Sequence, residues 1–252
     1  MFSYIQSLIA NPREMIIFFL LALPARVMAL SIHEWAHAWA ACKCGDPTAR
    51  MMGRMTLNPA AHLDLVGTIM MALLGFGWAK PVPVNPRNYR NYRRDDIIVS
   101  LAGITMNLIL FLVSTLVCAV VLIIAIGSSA PGLPMNFVVT NAPLVGHVFV
   151  ESVWGRMAGY IYEMLQYFVL VNISLAVFNL IPVPPLDGSH VLANLLPRNP
   201  FRNPRVGQIA YLAMLALLFT GALGDLLSYV TTWAIQGVGS AVYALLHLIG
   251  VA

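Results

Sequence analysis

Residues 15–42 read MIIFFLLALPARVMALSIHEWAHAWAAC, and this stretch decides the fold. It exceeds the roughly 20 apolar residues that a helix needs to cross a bilayer. Arg13 and the Ala-Leu-Pro-Ala stretch at residues 22–25 imitate a secretory signal, but the apolar run continues well past that point, which a cleaved signal does not do. Near its end the run carries His33, Glu34 and His37. Ionisable side chains are costly in hydrocarbon, so such residues are by default candidates for function.

Four further apolar segments follow, at approximately residues 97–126, 157–186, 206–224 and 226–250, each of span length or nearly so. The last two are separated so briefly that a tight helical hairpin is expected. A shorter run, LVGTIMMALLGFGW at residues 65–78, suits a re-entrant segment better than a span. Composition agrees with lipid as the solvent. Of 252 residues, 60% are hydrophobic and 10% charged, against roughly 45–50% and 25% in soluble domains. The expected fold is an all-α polytopic membrane protein with about five transmembrane helices plus a re-entrant or extended segment. Residues 1–252 form one integral membrane domain on this reading, with a core at approximately 14–190 and a C-terminal hairpin at approximately 206–250.

The formal net charge is +4, and Lys and Arg gather at residues 43–94 and 198–205. In a soluble chain that excess would suggest nucleic acid. Here the basic residues lie between apolar runs, so a cytoplasmic membrane face explains them and nucleic acid is not an expected partner. Lys43, Arg50 and Arg54 follow the first segment; Lys80, Arg87, Arg90, Arg93 and Arg94 precede the second; Arg198, Arg202 and Arg205 follow the third; residues 127–152 have neither Lys nor Arg. Basic loops stay inside. The first span therefore runs outside to inside, the loops 43–64, 79–96 and 187–205 are cytoplasmic, and the C-terminus ends inside. Residues 65–78, basic on both flanks, must dip in and return. Arg13 alone argues the other way. The expected location is the cell membrane, multi-pass. Cys42, Cys44 and Cys118 give no disulfide framework, and the first two read as reduced thiols near the cytoplasmic face.

On a helix, His33 and His37 share a face about one turn apart, so both imidazoles can bind one metal while Glu34 reaches its water. Zinc suits neutral imidazoles with an open position for water, whose pKa it lowers to about 7. A further protein ligand must come from the same membrane depth. The third long segment ends at the same face, in Asn179-Leu180-Ile181-Pro182-Val183-Pro184-Pro185-Leu186-Asp187-Gly188. Prolines break the helix there, and broken backbone at membrane depth is tolerated only where it lines a cavity or is buried in protein. Asp187 is the only carboxylate in that stretch. The zinc site is thus expected between the first and third long spans.

HEWAHA at residues 33–38 with NLIPVPPLDG at residues 179–188 resembles the site-2 protease family of intramembrane zinc metalloproteases. Further agreement lies in Gly45–Ala49, Gly53–Pro59, His62–Asp64, Gly77–Pro86 and Ala102-Gly103 with Asn107, so residues 30–190 are covered well and the remainder only in hydropathy. The resemblance implies one zinc ion held by His33, His37 and Asp187, with Glu34 as general base acting on the zinc-bound water. It implies that Asn179 steadies the substrate or the oxyanion, and that the partners are transmembrane protein or peptide substrates in the lipid bilayer, cleaved toward the cytoplasmic side. Ile104 stands where relatives often have proline. There is no room for the PDZ or cystathionine-synthase-type domains of longer relatives, so the chain resembles the short subgroup.

Other polar residues weigh less. Arg26 shares the helical face of His33 and is read as pairing with a neighbouring polar group. His62 and Asp64 are expected to hydrogen-bond structurally, His190 to stand behind Asp187, and His147 and His247 to be interfacial. Residues 76–86 (FGWAKPVPVNP) read as extended, either a plain connector or an edge that accepts an unwound substrate by strand addition. The alternative functions are a metal-binding membrane transporter or a catalytically silent helix-binding scaffold. Neither needs an acid between the histidines, and a transporter is expected to show internal repeats, of which the sequence has none.

Overall fold

The computed structural model describes residues 12–74, 77–126 and 153–248. Among them are eight α-helices and no strand. The first four are α1 (Pro12–Cys44), α2 (Thr48–Met51), α3 (Leu65–Leu74) and α4 (Tyr92–Ile126). The others are α5 (Val153–Asn179), α6 (Asp187–Leu195), α7 (Pro204–Thr220) and α8 (Ala222–Leu248). The Lys- and Arg-free connection expected at 127–152 lies outside the described residues.

Helices α1, α4 and α5 pack against one another. Helix α1 buries a row of small side chains, Ala22, Ala25, Ala29, Ala36, Ala40 and Ala41, which lets its neighbours approach closely. Between α4 and α5, Phe111, Cys118 and Ala119 meet Tyr162, Val169 and Ile173. The outward side of α4 exposes Leu108, Leu112, Val113, Leu116 and Val120, an apolar surface suited to lipid. Tyr92–Val121 and Gly159–Asn179 are long and apolar enough to cross a membrane, so the chain is membrane-inserted with multiple spans. Near the end of α1, Trp35 and Trp39 stack, and Lys43 lies over the Trp39 ring, the aromatic and basic pairing typical of a membrane interface.

Helix α3 has 10 residues, about 15 Å of rise against a hydrocarbon core of about 30 Å. The chain then comes back beside itself: Ala79 bridges Leu63, and the Lys80 amide donates to the His62 carbonyl at 2.8 Å. That path agrees with a segment that leaves and returns on one side. The last two helices differ from the expected hairpin. They are long and apolar enough to cross a membrane only when taken together, and the chain direction changes by 78° between them. Gly221, at φ 86°, is the whole connection. A left-handed glycine turns the chain without a loop, and one residue leaves no length for α8 to fold back along α7.

Asp46 locks the loop after α1. Its buried carboxylate accepts from the Thr48 amide and hydroxyl, the Asn85 amide and the Asn88 side chain. Burial works against that charge, yet these donors together hold the carboxyl below its ordinary range. The group is then worth most above the unfolded value near about 4, and its stabilisation is lost as pH falls through the lower folded-state value. Asp46→Asn is expected to cost about 1–3 kcal/mol, read as a lower Tm at pH 7 in detergent. The gap to the parent should narrow on acidification; a constant gap would show that the charge is not the cause.

Candidate metal centre

Asn91 sets the start of α4. Its side chain accepts from the Arg94 amide, while Asp95 reaches back to the Asn91 amide at 2.8 Å, a reciprocal cap. That phase puts Asp96, Val99, Gly103 and Asn107 on one helical face, against the face of α1 that carries His33 and His37. Asp187 arrives from the other side as the first residue of α6, after α5 ends at Asn179 and Leu180–Leu186 pass without helix.

His33 Nε2 and His37 Nε2 are 3.0 Å apart, and each lies 3.3 Å from Asp187 Oδ2. Among the described residues this is the only grouping of three such side chains that could hold a metal ion. The far nitrogens explain the arrangement. His33 Nδ1 is 2.8 Å from Asn107 Oδ1, and His37 Nδ1 is 2.8 Å from the Val99 carbonyl. With each oxygen accepting, Nδ1 carries the proton, and in the neutral ring Nε2 is left with its lone pair facing inward. Asp187 Oδ2 is buried without a hydrogen-bond donor. Three electron-rich atoms facing one point repel; a proton relieves one pair, a divalent cation relieves all three. Gly103 faces the same point. A Cβ there would lie 2.5 Å from His37 Nε2 and 2.6 Å from His33 Cε1, so the room exists because residue 103 lacks a side chain. Two imidazoles and a carboxylate with a position left open are the donor set of hydrolytic zinc, and these residues fit it.

The cleft over this point has a volume of about 410 Å³. Glu34, Asn179, Trp78 and Val82 line it. Glu34 Oε2 accepts the Val82 amide at 2.8 Å, and the Asn179 side chain donates to the Leu175 carbonyl at 3.1 Å. Residues 77–85 are non-helical and run along this cleft.

Residues 18–221 match peptidase family M50. The chain belongs to that family. The resemblance to the site-2 proteases therefore holds, and membership makes the protein a membrane-embedded metalloprotease of the zinc-dependent kind. It is 37% identical over 171 residues to "Putative zinc metalloprotease YwhC" of Bacillus subtilis (strain 168), covering 68% of this chain and 67% of that protein. It is 26% identical over 231 residues to "Putative zinc metalloprotease Rip2" of Mycolicibacterium smegmatis, covering 89% of this chain and 76% of that protein. No solved structure matches.

The other polar residues of this M50 chain fall around the centre. His62 is buried, with Nε2 against the Thr56 carbonyl at 2.7 Å, and Asp64 caps α3 through the Gly67 amide; both act structurally. Arg26 donates to the Met71 carbonyl of α3. Cys42 and Cys44 are free thiols outside the cluster. His147 lies outside the described residues, as does the side chain of His247. His190 stands behind Asp187 and approaches Asp96 Oδ2 at 3.3 Å, and Asn194 donates to the same oxygen. The sequence reading missed Asp96, which is nearly buried, because Arg93-Arg94-Asp95-Asp96 looks like the solvated start of a helix. Asn107 carried a usable signal, a carboxamide in an apolar run. The Val99 carbonyl carried none.

Proposed function

We propose that this M50 member is an intramembrane zinc endopeptidase that hydrolyses peptide bonds within or near the transmembrane segments of other membrane proteins, at a site open toward the cytoplasm. The observation that carries the proposal is the pair of acceptor-bound Nδ1 atoms, which leaves two Nε2 lone pairs and Asp187 Oδ2 converging where only a cation satisfies all three. His33, His37 and Asp187 are assigned as the ligands. When bound, zinc supplies Lewis acidity that polarises a peptide carbonyl and acidifies water. Asn107 and the Val99 carbonyl hold the two rings in the ligating tautomer. Glu34 takes a proton from the attacking water and returns it to the leaving amine. Asn179, on the cleft wall, steadies the substrate or the oxyanion. Trp78, Leu175 and Phe178 restrict bulk water around the centre.

Purified protein in detergent, given a transmembrane peptide with helix-breaking residues, tests this. Chelation should remove one zinc and all cleavage, and added zinc should restore both. The zinc-loaded protein should also melt higher, since ligand at about 100 times its Kd adds about 2.7 kcal/mol. Cleavage by metal-free protein would sink the proposal.

The finer topology belongs to the same reading: five spans, with loops 43–64, 79–96 and 187–205 in the cytoplasm. In a background without native cysteines, Asn91→Cys and Asn203→Cys should resist an impermeant thiol reagent on intact cells and react after lysis. Labelling from outside would overturn the orientation.

A further inference from the structure

We infer that the backbone N–H of Val82 is a positioning group for Glu34, orienting its carboxylate over the cleft; the inference rests on the proteolytic reading above. The sequence around it is Lys80-Pro81-Val82-Pro83-Val84-Asn85-Pro86. Proline has no N–H, so between Lys80 and Val84 the Val82 amide is the only backbone donor. It goes to a side chain 48 residues away: Glu34 Oε2 at 2.8 Å.

Everything around that donor is tied down. On one side, the Lys80 amide bonds the His62 carbonyl at 2.8 Å, and the Arg54 guanidinium reaches the Lys80 and Pro81 carbonyls at 2.8 and 3.3 Å. On the other, the Asn85 amide bonds Asp46 Oδ2 at 2.6 Å. The Val82 side chain is buried against Ala38 and Ala49, so α1 and this segment share a packed surface beside the bond. Glu has three rotatable torsions, and freezing them costs entropy. A donor already held in place removes that cost from each turnover, which is how outer groups sustain a preorganised site. One oxygen is occupied by the amide, and the other remains to accept a proton.

The same bonds bear on strand addition. Over Lys80–Pro83 both available amides are used within the protein, and two carbonyls already accept from Arg54. An incoming strand finds no donor there. Lys80–Pro83 is therefore a clamp on Glu34 that offers a substrate strand carbonyl acceptors and no backbone donor.

The test replaces Val82 by its α-hydroxy acid in the full-length protein, so that the Pro81–Val82 amide becomes an ester. This removes the N–H and keeps the side chain. Zinc content and KM should hold while kcat falls at least about tenfold, the low end for loss of an outer-shell partner. Val82→Ala, which keeps the N–H and trims the packing, should lower Tm more than kcat. A readout independent of turnover is the Glu34 carboxylate stretch, isolated as the infrared difference against Glu34→Gln; it should shift in the ester protein. An unshifted band, or full kcat in the ester protein, overturns the inference. If the unmodified protein binds zinc and cleaves nothing, the proteolytic reading fails by itself; a shifted band in the ester protein then still upholds the tether, and an unshifted one removes it too.

Discussion

Glu34→Gln is expected to keep its zinc and lose cleavage. Gln is nearly isosteric with Glu, and Glu34 is absent from the three converging ligand atoms, so metal content should match the parent. The carboxamide oxygen can still accept the Val82 amide, so the local backbone should stay in place. What disappears is the group that takes a proton from water and returns it to the amine. General acid–base assistance is worth about 10²–10⁴ in rate, and kcat should fall by that much with little change in KM. His33→Ala should differ in kind, by weakening metal binding itself. Full activity in Glu34→Gln would remove the hydrolytic mechanism. Zinc loss in the same variant would make Glu34 a ligand and favour the transport or scaffold readings.

Gly103→Val should sharply weaken zinc binding and cleavage without replacing a ligand. A Cβ at residue 103 sits 2.5 Å from His37 Nε2 and 2.6 Å from His33 Cε1, which is inside the space an ion needs. The rings cannot simply swing away, because Asn107 and the Val99 carbonyl hold their far nitrogens from the same helix. The variant must therefore give up either the ligand geometry or the α1–α4 packing. Zinc affinity should drop by at least about 10–100-fold, the range for disturbed outer shells, and kcat with it. Leu112→Ala, on the exposed side of α4, controls for generic damage and should leave both intact. Equal zinc content in Gly103→Val and the parent would show that the ion does not lie between residue 103 and the two histidines.

Much of this was legible in residues taken in order. His33 and His37 had to share a face because their spacing is one helical turn, and Asp187, the only carboxylate of the proline-broken stretch, does come within 3.3 Å of both rings. The three prolines after Asn179 ended α5 where expected. The return of residues 65–78 followed from too few apolar residues to cross. Asp46 was harder to see, since Gly-Asp-Pro-Thr reads as an ordinary turn while its carboxylate in fact joins residues 46–48 to residues 85–88. The hairpin expected of α7 and α8 rested on hydropathy, which counts apolar residues and is blind to how far a single glycine bends the chain.

The division has a physical basis. Helix length, span candidates and the His-Glu-x-x-His face depend on composition and local periodicity, and these the chain determines by itself. The tautomer of each histidine, the burial of Asp96 and the approach of Gly103 to both rings depend on which faces of α1, α4 and α6 meet and at what distance, and the grip of Val82 on Glu34 on how residues 77–85 lie against α1. Those contacts join residues 48–98 positions apart, and no local rule sets them. They are settled by packing small side chains along α1 and by satisfying buried polar atoms together, a condition that exists only once the helices have closed on one another.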